Sequence, residues 1–363
     1  MKMAKIISFL MTVIMFLFPT LNVSKISVNK DSWKTDYAYV YCHGLSGWGS
    51  YDFQYRLMPY WGMFGGDMIK NLNHLGYECY SASVDPQGSA WDRACELYAQ
   101  LSGTRVDYGK EHSEKFGHER FGEDFSNKRL IPDWSSEEKI NLLGHSFGGV
   151  TVRLLAELMA NGSSEEKAVT DESEISPLFT GGKADWIYSV TTLAAPSNGT
   201  TAYGFGDADR EVANHDSAAY DMYIDKAMAI NEKISTQECT YYFAIPCSST
   251  IKNADGTYSA DNELTEAIFR SSANEMGRLT GITPGGYVVD ETWLENDGLV
   301  NTVSAKAPSS APSTPLDRSN IKPGIWNVAE TYKGDHMAFN GDLFSPNNIR
   351  PFFADWMNMI NGI

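Results

Sequence analysis

Cysteine is scarce: five residues in 363, Cys42, Cys79, Cys95, Cys239 and Cys247, and no C-x-x-C spacing. This excludes the disulfide framework of a small stapled domain and leaves no thiolate set for zinc or dithiol chemistry. Cys42 and Cys79 stand in apolar, strand-like runs, where a free thiol packs as a small core residue. Cys239 and Cys247 are close enough in sequence to pair. Positive charge is short as well, with 29 Lys and Arg against 46 Asp and Glu, a formal net charge of −17. Such a polyanion is repelled by phosphate backbones and anionic membrane surfaces, which excludes nucleic acid and a stable membrane partner; neutral esters feel no such repulsion. No apolar run reaches the roughly 18–20 residues needed to cross a bilayer. The run Ile6–Phe18 follows Lys2 and Lys5 and ends at Pro19, the pattern of a secretory leader. Residues 1–24 are therefore assigned to a signal peptide, cut near Val23 or Ser24, and residues 25–363 to one exported domain.

What the chain does contain is an alternation of strand-like and helix-like segments. Strands are predicted at Tyr37–Cys42, Tyr77–Val84, Lys139–Gly144, Trp186–Ala194, Thr240–Ile245 and Gly324–Tyr332. Helices are predicted at Met63–Leu75, closed by Gly76, and at Trp91–Leu101, Val150–Met159 and Arg350–Ile360. Strands separated by helices imply an α/β fold, a mostly parallel sheet covered on both faces. The polar stretch Ser163–Ser176 and the Pro- and Ser-rich stretch Ala307–Pro315 read as surface loops, and no internal repeat is present.

Gly144-His145-Ser146-Phe147-Gly148 is G-x-S-x-G, set between a predicted strand and a predicted helix. A sharp turn there exposes the Ser146 hydroxyl above the sheet edge, and the helix that follows aims N–H groups at an oxyanion. One donor is the backbone N–H of Phe147. A second is expected from the loop closing the first strand, His43-Gly44-Leu45, with Leu45 N–H the candidate. The base must follow in sequence. Of seven histidines, only His215 and His336 lie well beyond Ser146, and His336 falls in a loop after the last predicted strand. For the acid, Asp297 in Asn296-Asp297-Gly298 is a candidate, although an ordinary D-G turn explains the same letters.

The longer motifs are H-G-L-S-G-W-G at 43–49, W-D-R-A-C-E-L-Y-A-Q-L at 91–101, V-D-Y-G-K-E-H at 106–112 and G-H-E-R-F-G at 117–122. They continue with T-T-L-A-A-P-S-N-G-T-T at 191–201 and W-L-E-N-D-G-L-V-N-T-V-S at 293–304. In these the chain resembles the secreted thermoalkalophilic and staphylococcal-type bacterial lipases, zinc-containing α/β-hydrolases. The resemblance implies the α/β-hydrolase fold, a triad of Ser146, Asp297 and His336, and oxyanion donors at Leu45 and Phe147. It also implies a structural zinc held by Asp92, His112, His118 and Asp216, inside an insertion at about 86–130. Two imidazoles and two carboxylates make a closed four-coordinate shell, which fits a structural rather than a catalytic ion.

The sequence departs from that family in three places. Phe147 stands where Gln is usual, a change that a backbone donor tolerates. The acidic calcium ligand two positions after the histidine is replaced by Ala338, and Asp342 is out of step, which weakens the case for calcium. Only Ala202–His215 occupies the place of a long helical lid. The expected function is hydrolysis of carboxylic esters, acylglycerols and aliphatic polyesters among them, through an acyl-enzyme. The triad alone does not separate esters from amides, so a serine amidase or peptidase is the alternative. Oligomeric state is not legible in the sequence.

Overall fold

The computed structural model describes residue 28, residues 30–341 and residues 349–363; the assigned leader at 1–24 and Asp342 lie outside the described residues. The central sheet contains β1 (Ala38–Cys42), β2 (Cys79–Ala82), β3 (Ile140–His145), β4 (Ile187–Leu193), β5 (Tyr241–Ile245), β6 (Ser313–Pro315) and β7 (Trp326–Val328). Its order is β6-β7-β5-β4-β3-β1-β2, and every pairing is parallel. The helices used below are α1 (Met68–His74), α2 (Ala90–Ser102), α3 (Lys110–Phe116), α4 (Phe147–Asn161), α5 (Ser164–Val169) and α6 (Ile349–Asn361).

A parallel sheet buried on both faces needs apolar residues at every position, and β1 and β3 are buried throughout. Alternate residues serve opposite cores. Val40, Leu142, Val190 and Ala244 pack with α2 and α4. Tyr41, Leu143, Leu193 and Phe243 pack on the other face with α1 and α6. Helix α6 supplies Phe353, Trp356, Met357 and Ile360, spaced as one helical stripe. The expected α/β-hydrolase architecture is what the chain adopts, and no described helix is long and apolar enough to cross a membrane.

Several local expectations are corrected. The helix expected over Met63–Leu75 is broken into a short turn, Met63–Gly65, and α1, because Gly62 and Gly66 take φ of 106° and 84°. The strand expected over Gly324–Tyr332 is only β7. Its neighbour β5 stops before Pro246, which has no N–H to continue the ladder, and Tyr332–Lys333 pairs instead with Cys247–Ser248. Ser163–Ser176 contains α5, capped when Ser163 Oγ accepts the Glu166 N–H. Ala307–Pro315 ends in the edge strand β6. All five cysteines are free, so Cys239 and Cys247 do not pair.

Strand order reverses between β1 and β3: from β1 the chain winds outward to β2, and from β3 it winds the other way to β4 and β5. Ligand crevices in open α/β sheets form outside the carboxyl ends of strands at such a point. Gly44 and Ser146 follow β1 and β3 there.

Candidate active site

Ser146 joins β3 to α4 at φ 54° and ψ −130°, a backbone conformation unusual for any residue with a Cβ. Its N–H donates to Leu193 O at 2.8 Å. Two glycines let the chain pass. A Cβ on Gly148 would lie 2.3 Å from Cys42 O, and one on Gly44 would lie 2.7 Å from Ser146 Cβ. The loop after β1 therefore lies directly against the serine.

Ser146 Oγ is 2.8 Å from His336 Nε2, and His336 Nδ1 is 2.9 Å from Asp297 Oδ2. A carboxylate only accepts, so Nδ1 carries the proton and Nε2 receives the serine hydroxyl. Asp297 is fully buried, and its Oδ1 accepts the N–H groups of Leu299 at 3.0 Å and Val300 at 2.7 Å. The His336 N–H returns to Asp297 O at 2.9 Å. Residues separated by 190 and 39 positions thus meet in one Ser–His–Asp hydrogen-bonded chain, an arrangement in which a serine hydroxyl can be activated by an oriented imidazole. Among the described residues the Leu45 N–H donates to no acceptor.

Residues outside the expected site hold this arrangement from behind. His145 Nε2–H donates to His336 O at 2.8 Å, and the Tyr60 hydroxyl donates to His145 Nδ1 at 2.7 Å while accepting the Gly44 N–H at 3.0 Å. Burial first, and His336 nearby, hold the His145 imidazole well below its usual range, so it stays neutral. Burial pushes the Tyr60 hydroxyl up to about 12 and keeps its proton in place.

A second cluster brings together Asp92 on α2, His112 on α3, His118 just past α3 and Asp216 ahead of the helix Ala218–Asp221. One ligand atom from each lies within 4.8 Å of all the others. His112 Nε2 faces both Asp92 Oδ1 at 3.1 Å and Asp216 Oδ2 at 3.2 Å. His118 Nδ1–H donates to Glu119 O at 2.9 Å, which turns the Nε2 lone pair inward. His118 Nε2 and Asp216 Oδ1 are buried without a hydrogen-bond partner. Converging lone pairs and orphaned acceptors are what a cation would satisfy, so the donor set fits a metal ion. Burial would depress His112, yet bonds to Asp216 and Asp92 outweigh it and raise its imidazole to about 9.

Glu166 of α5 is almost fully buried and accepts the N–H groups of His112 at 2.9 Å and Glu111 at 3.1 Å. It closes the N-terminus of α3, which has no cap of its own. Ser163-x-x-Glu166 is a capping-box signature, the one signal by which this helix could have been found in a stretch read as loop.

The segment Ala202–His215 is pinned down. Asp209 meets Lys226 Nζ at 2.8 Å and the Tyr220 hydroxyl at 2.6 Å, the Tyr223 hydroxyl donates to Glu211 at 3.1 Å, and Tyr203 stacks on Tyr223. Its only α-helix is one turn, Ala208–Glu211. A cavity of about 320 Å³ opens beneath it, lined by Phe205, Asp207, Asp225 and Thr283 among others; no triad residue lines it.

The family model for lipase-like, C-terminal domains matches residues 35–213 and 207–357. Lipase 2 of Staphylococcus aureus is 32% identical over 351 residues, spanning 84% of this chain and 50% of that protein. The chain thus spans about half the length of the curated relatives it matches. EstA from Clostridium botulinum superimposes with a TM-score of 0.83 at 29% identity, covering 97% of this chain and 94% of the other. The Staphylococcus hyicus lipase gives 0.77 at 28% identity, covering 93% and 98%. With its triad geometry, its parallel sheet and matches that run nearly from end to end, this chain belongs to the family of lipase-like, C-terminal domains.

Proposed function

We propose that the protein is a secreted serine hydrolase of carboxylic esters, acting on acylglycerols and on aliphatic polyesters. The observation that carries this reading is the Ser146–His336–Asp297 hydrogen-bonded chain at a strained strand-to-helix turn. The Ser146 hydroxyl attacks the ester carbonyl while His336 Nε2 takes its proton. Asp297 keeps the imidazole in the receptive tautomer and stabilises the imidazolium. The N–H groups of Leu45 and Phe147 receive the oxyanion. As the tetrahedral intermediate collapses, His336 returns the proton to the departing alcohol. Water then attacks the acyl-serine by the same relay in reverse.

Residues 1–24 act as the leader and 25–363 as one hydrolase domain with a metal-binding insertion at about 86–130. Zn2+ is the ion this N/O set suits, held by Asp92, His112, His118 and Asp216; once bound it supplies a closed staple between α2, α3 and the segment before Ala218. The pinned segment at 202–215 supports a site that needs no oil–water interface to open.

The test is ester hydrolysis by wild type and Ser146→Ala, with metal content measured on the same samples. Ser146→Ala should lose at least about a thousandfold in kcat. Faster cleavage of an anilide than of the matched p-nitrophenyl ester would favour the amidase reading. A sharp rate jump as tributyrin passes its solubility limit would refute the lidless site.

A further inference from the structure

Arg93, one residue after Asp92 on α2, is fully buried. Among the described residues it forms no ion pair with a carboxylate, and its Nε has no partner. A guanidinium in that position has lost its water and gained no counter-charge, a costly arrangement. What it does touch is specific. Nη2–H donates to His43 O, Nη1–H reaches Gly44 O at 3.4 Å, and the guanidinium carbon lies 5.3 Å from the centre of the Phe147 ring.

Gly44 O and Leu45 N belong to one peptide unit. That carbonyl accepts three donors: Arg93 Nη1–H, His43 Nδ1–H at 2.9 Å and the Gly47 N–H at 3.2 Å. His43 Nε2 accepts the Val84 N–H, so its tautomer is fixed, and burial with Arg93 beside it lowers the imidazole to about 3. The preceding peptide is held at both ends, its carbonyl by Arg93 and its Gly44 N–H by Tyr60. A cation on the carbonyl end of a peptide draws electron density toward it and makes the N–H at the other end a stronger donor.

We propose that Arg93 is a positioning residue that orients and polarises the Gly44–Leu45 peptide for the oxyanion, whose charge is the counter-charge the guanidinium lacks at rest. The inference rests on the reading of Leu45 N–H as an oxyanion donor. In that role the stabilisation is realised in the transition state and not in substrate binding, so Arg93 acts on kcat and leaves KM nearly unchanged.

Arg93→Gln keeps a donor without charge, and Arg93→Lys keeps charge without the fork. For each, kcat and KM on p-nitrophenyl butyrate, inhibition by butylboronic acid (a tetrahedral anion when bound to serine) and the melting temperature are measured. Arg93→Gln should lower kcat by about 10- to 100-fold, below the loss expected for a direct oxyanion donor, with KM within about threefold. Boronate affinity should fall by the same factor as kcat, and Arg93→Lys should recover much of both. Equal losses in the two variants, or unchanged boronate affinity, overturn the inference. Should Arg93→Gln not fold, Arg93→Lys decides alone: kcat and boronate affinity must fall by a common factor with KM within about threefold, and a fall in one without the other overturns the inference. Failure of a fluorophosphonate to label Ser146 in the wild type refutes the serine-hydrolase reading itself, a separate result.

Discussion

Glu166→Ala perturbs the candidate metal cluster without touching any of its four proposed ligands. The Glu166 carboxylate receives two backbone N–H groups at the start of α3, one of them from His112. Hydrogen bonds to a charged acceptor are each worth roughly 1.5 kcal/mol at the low end, so losing both costs about 3 kcal/mol. In a domain of this size that lowers the melting temperature by roughly 5 °C. The same loss frees the backbone that aims His112 at Asp92 and Asp216, and supporting contacts of this kind change metal affinity by about 10- to 100-fold. Glu166→Gln, which retains one acceptor oxygen, should fall about midway. Chelator competition for Zn2+ and differential scanning calorimetry, with and without the ion, measure both terms. If Glu166→Ala binds zinc as tightly as wild type while melting lower, α5 braces the fold only and the positioning argument is refuted.

Chelation should lower the melting temperature by at least roughly 5 °C yet leave ester hydrolysis nearly intact at low temperature; immediate loss there would point to a metal-activated water instead. Acid should destabilise the fold through His43 and His145. Their folded imidazoles lie below the ordinary 6.5, His43 at about 3, so the unfolded chain binds protons first and stability present above 6.5 is lost as pH falls. At about 1.4 kcal/mol per pH unit, His43 alone removes roughly 2 kcal/mol between pH 6.5 and about 5. Urea midpoints across that window at fixed ionic strength measure this loss, and a flat profile refutes it. Gly148→Ala places a Cβ 2.3 Å from Cys42 O and should abolish fluorophosphonate labelling or folding, read by labelling and circular dichroism. Normal labelling in that variant would mean that the turn relaxes at no cost.

Much of the fold was legible because its signals are local. A doubly buried parallel strand writes its burial into consecutive residues, as in Ile140–His145, and α6 shows its stripe at helical spacing. Errors fell where a neighbour, not the segment, sets the outcome. β7 ends where β5 runs out of N–H donors, and the pairing of Cys239 with Cys247, left open by the sequence, is decided by one being exposed and the other buried in a strand. Likewise Ser163–Ser176 is polar enough to read as loop, yet Ser164–Val169 folds as a helix, capped by Ser163 and held against α3 by the two N–H groups that Glu166 receives.

For the site, the G-x-S-x-G turn fixes Ser146 by itself, since the strained conformation and its flanking glycines are encoded within five residues. Asp297 and His336 were named from their order and from family motifs. Their meeting within 2.9 Å, across loops at the carboxyl end of the sheet, is a property of the folded chain. The roles of Tyr60, His145 and Arg93 had no local mark at all, and Glu166 showed only the capping-box pattern of its own helix. Each is defined by which orphaned N–H, carbonyl or imidazole it satisfies, and burial supplies those partners only once strands far apart in sequence lie side by side.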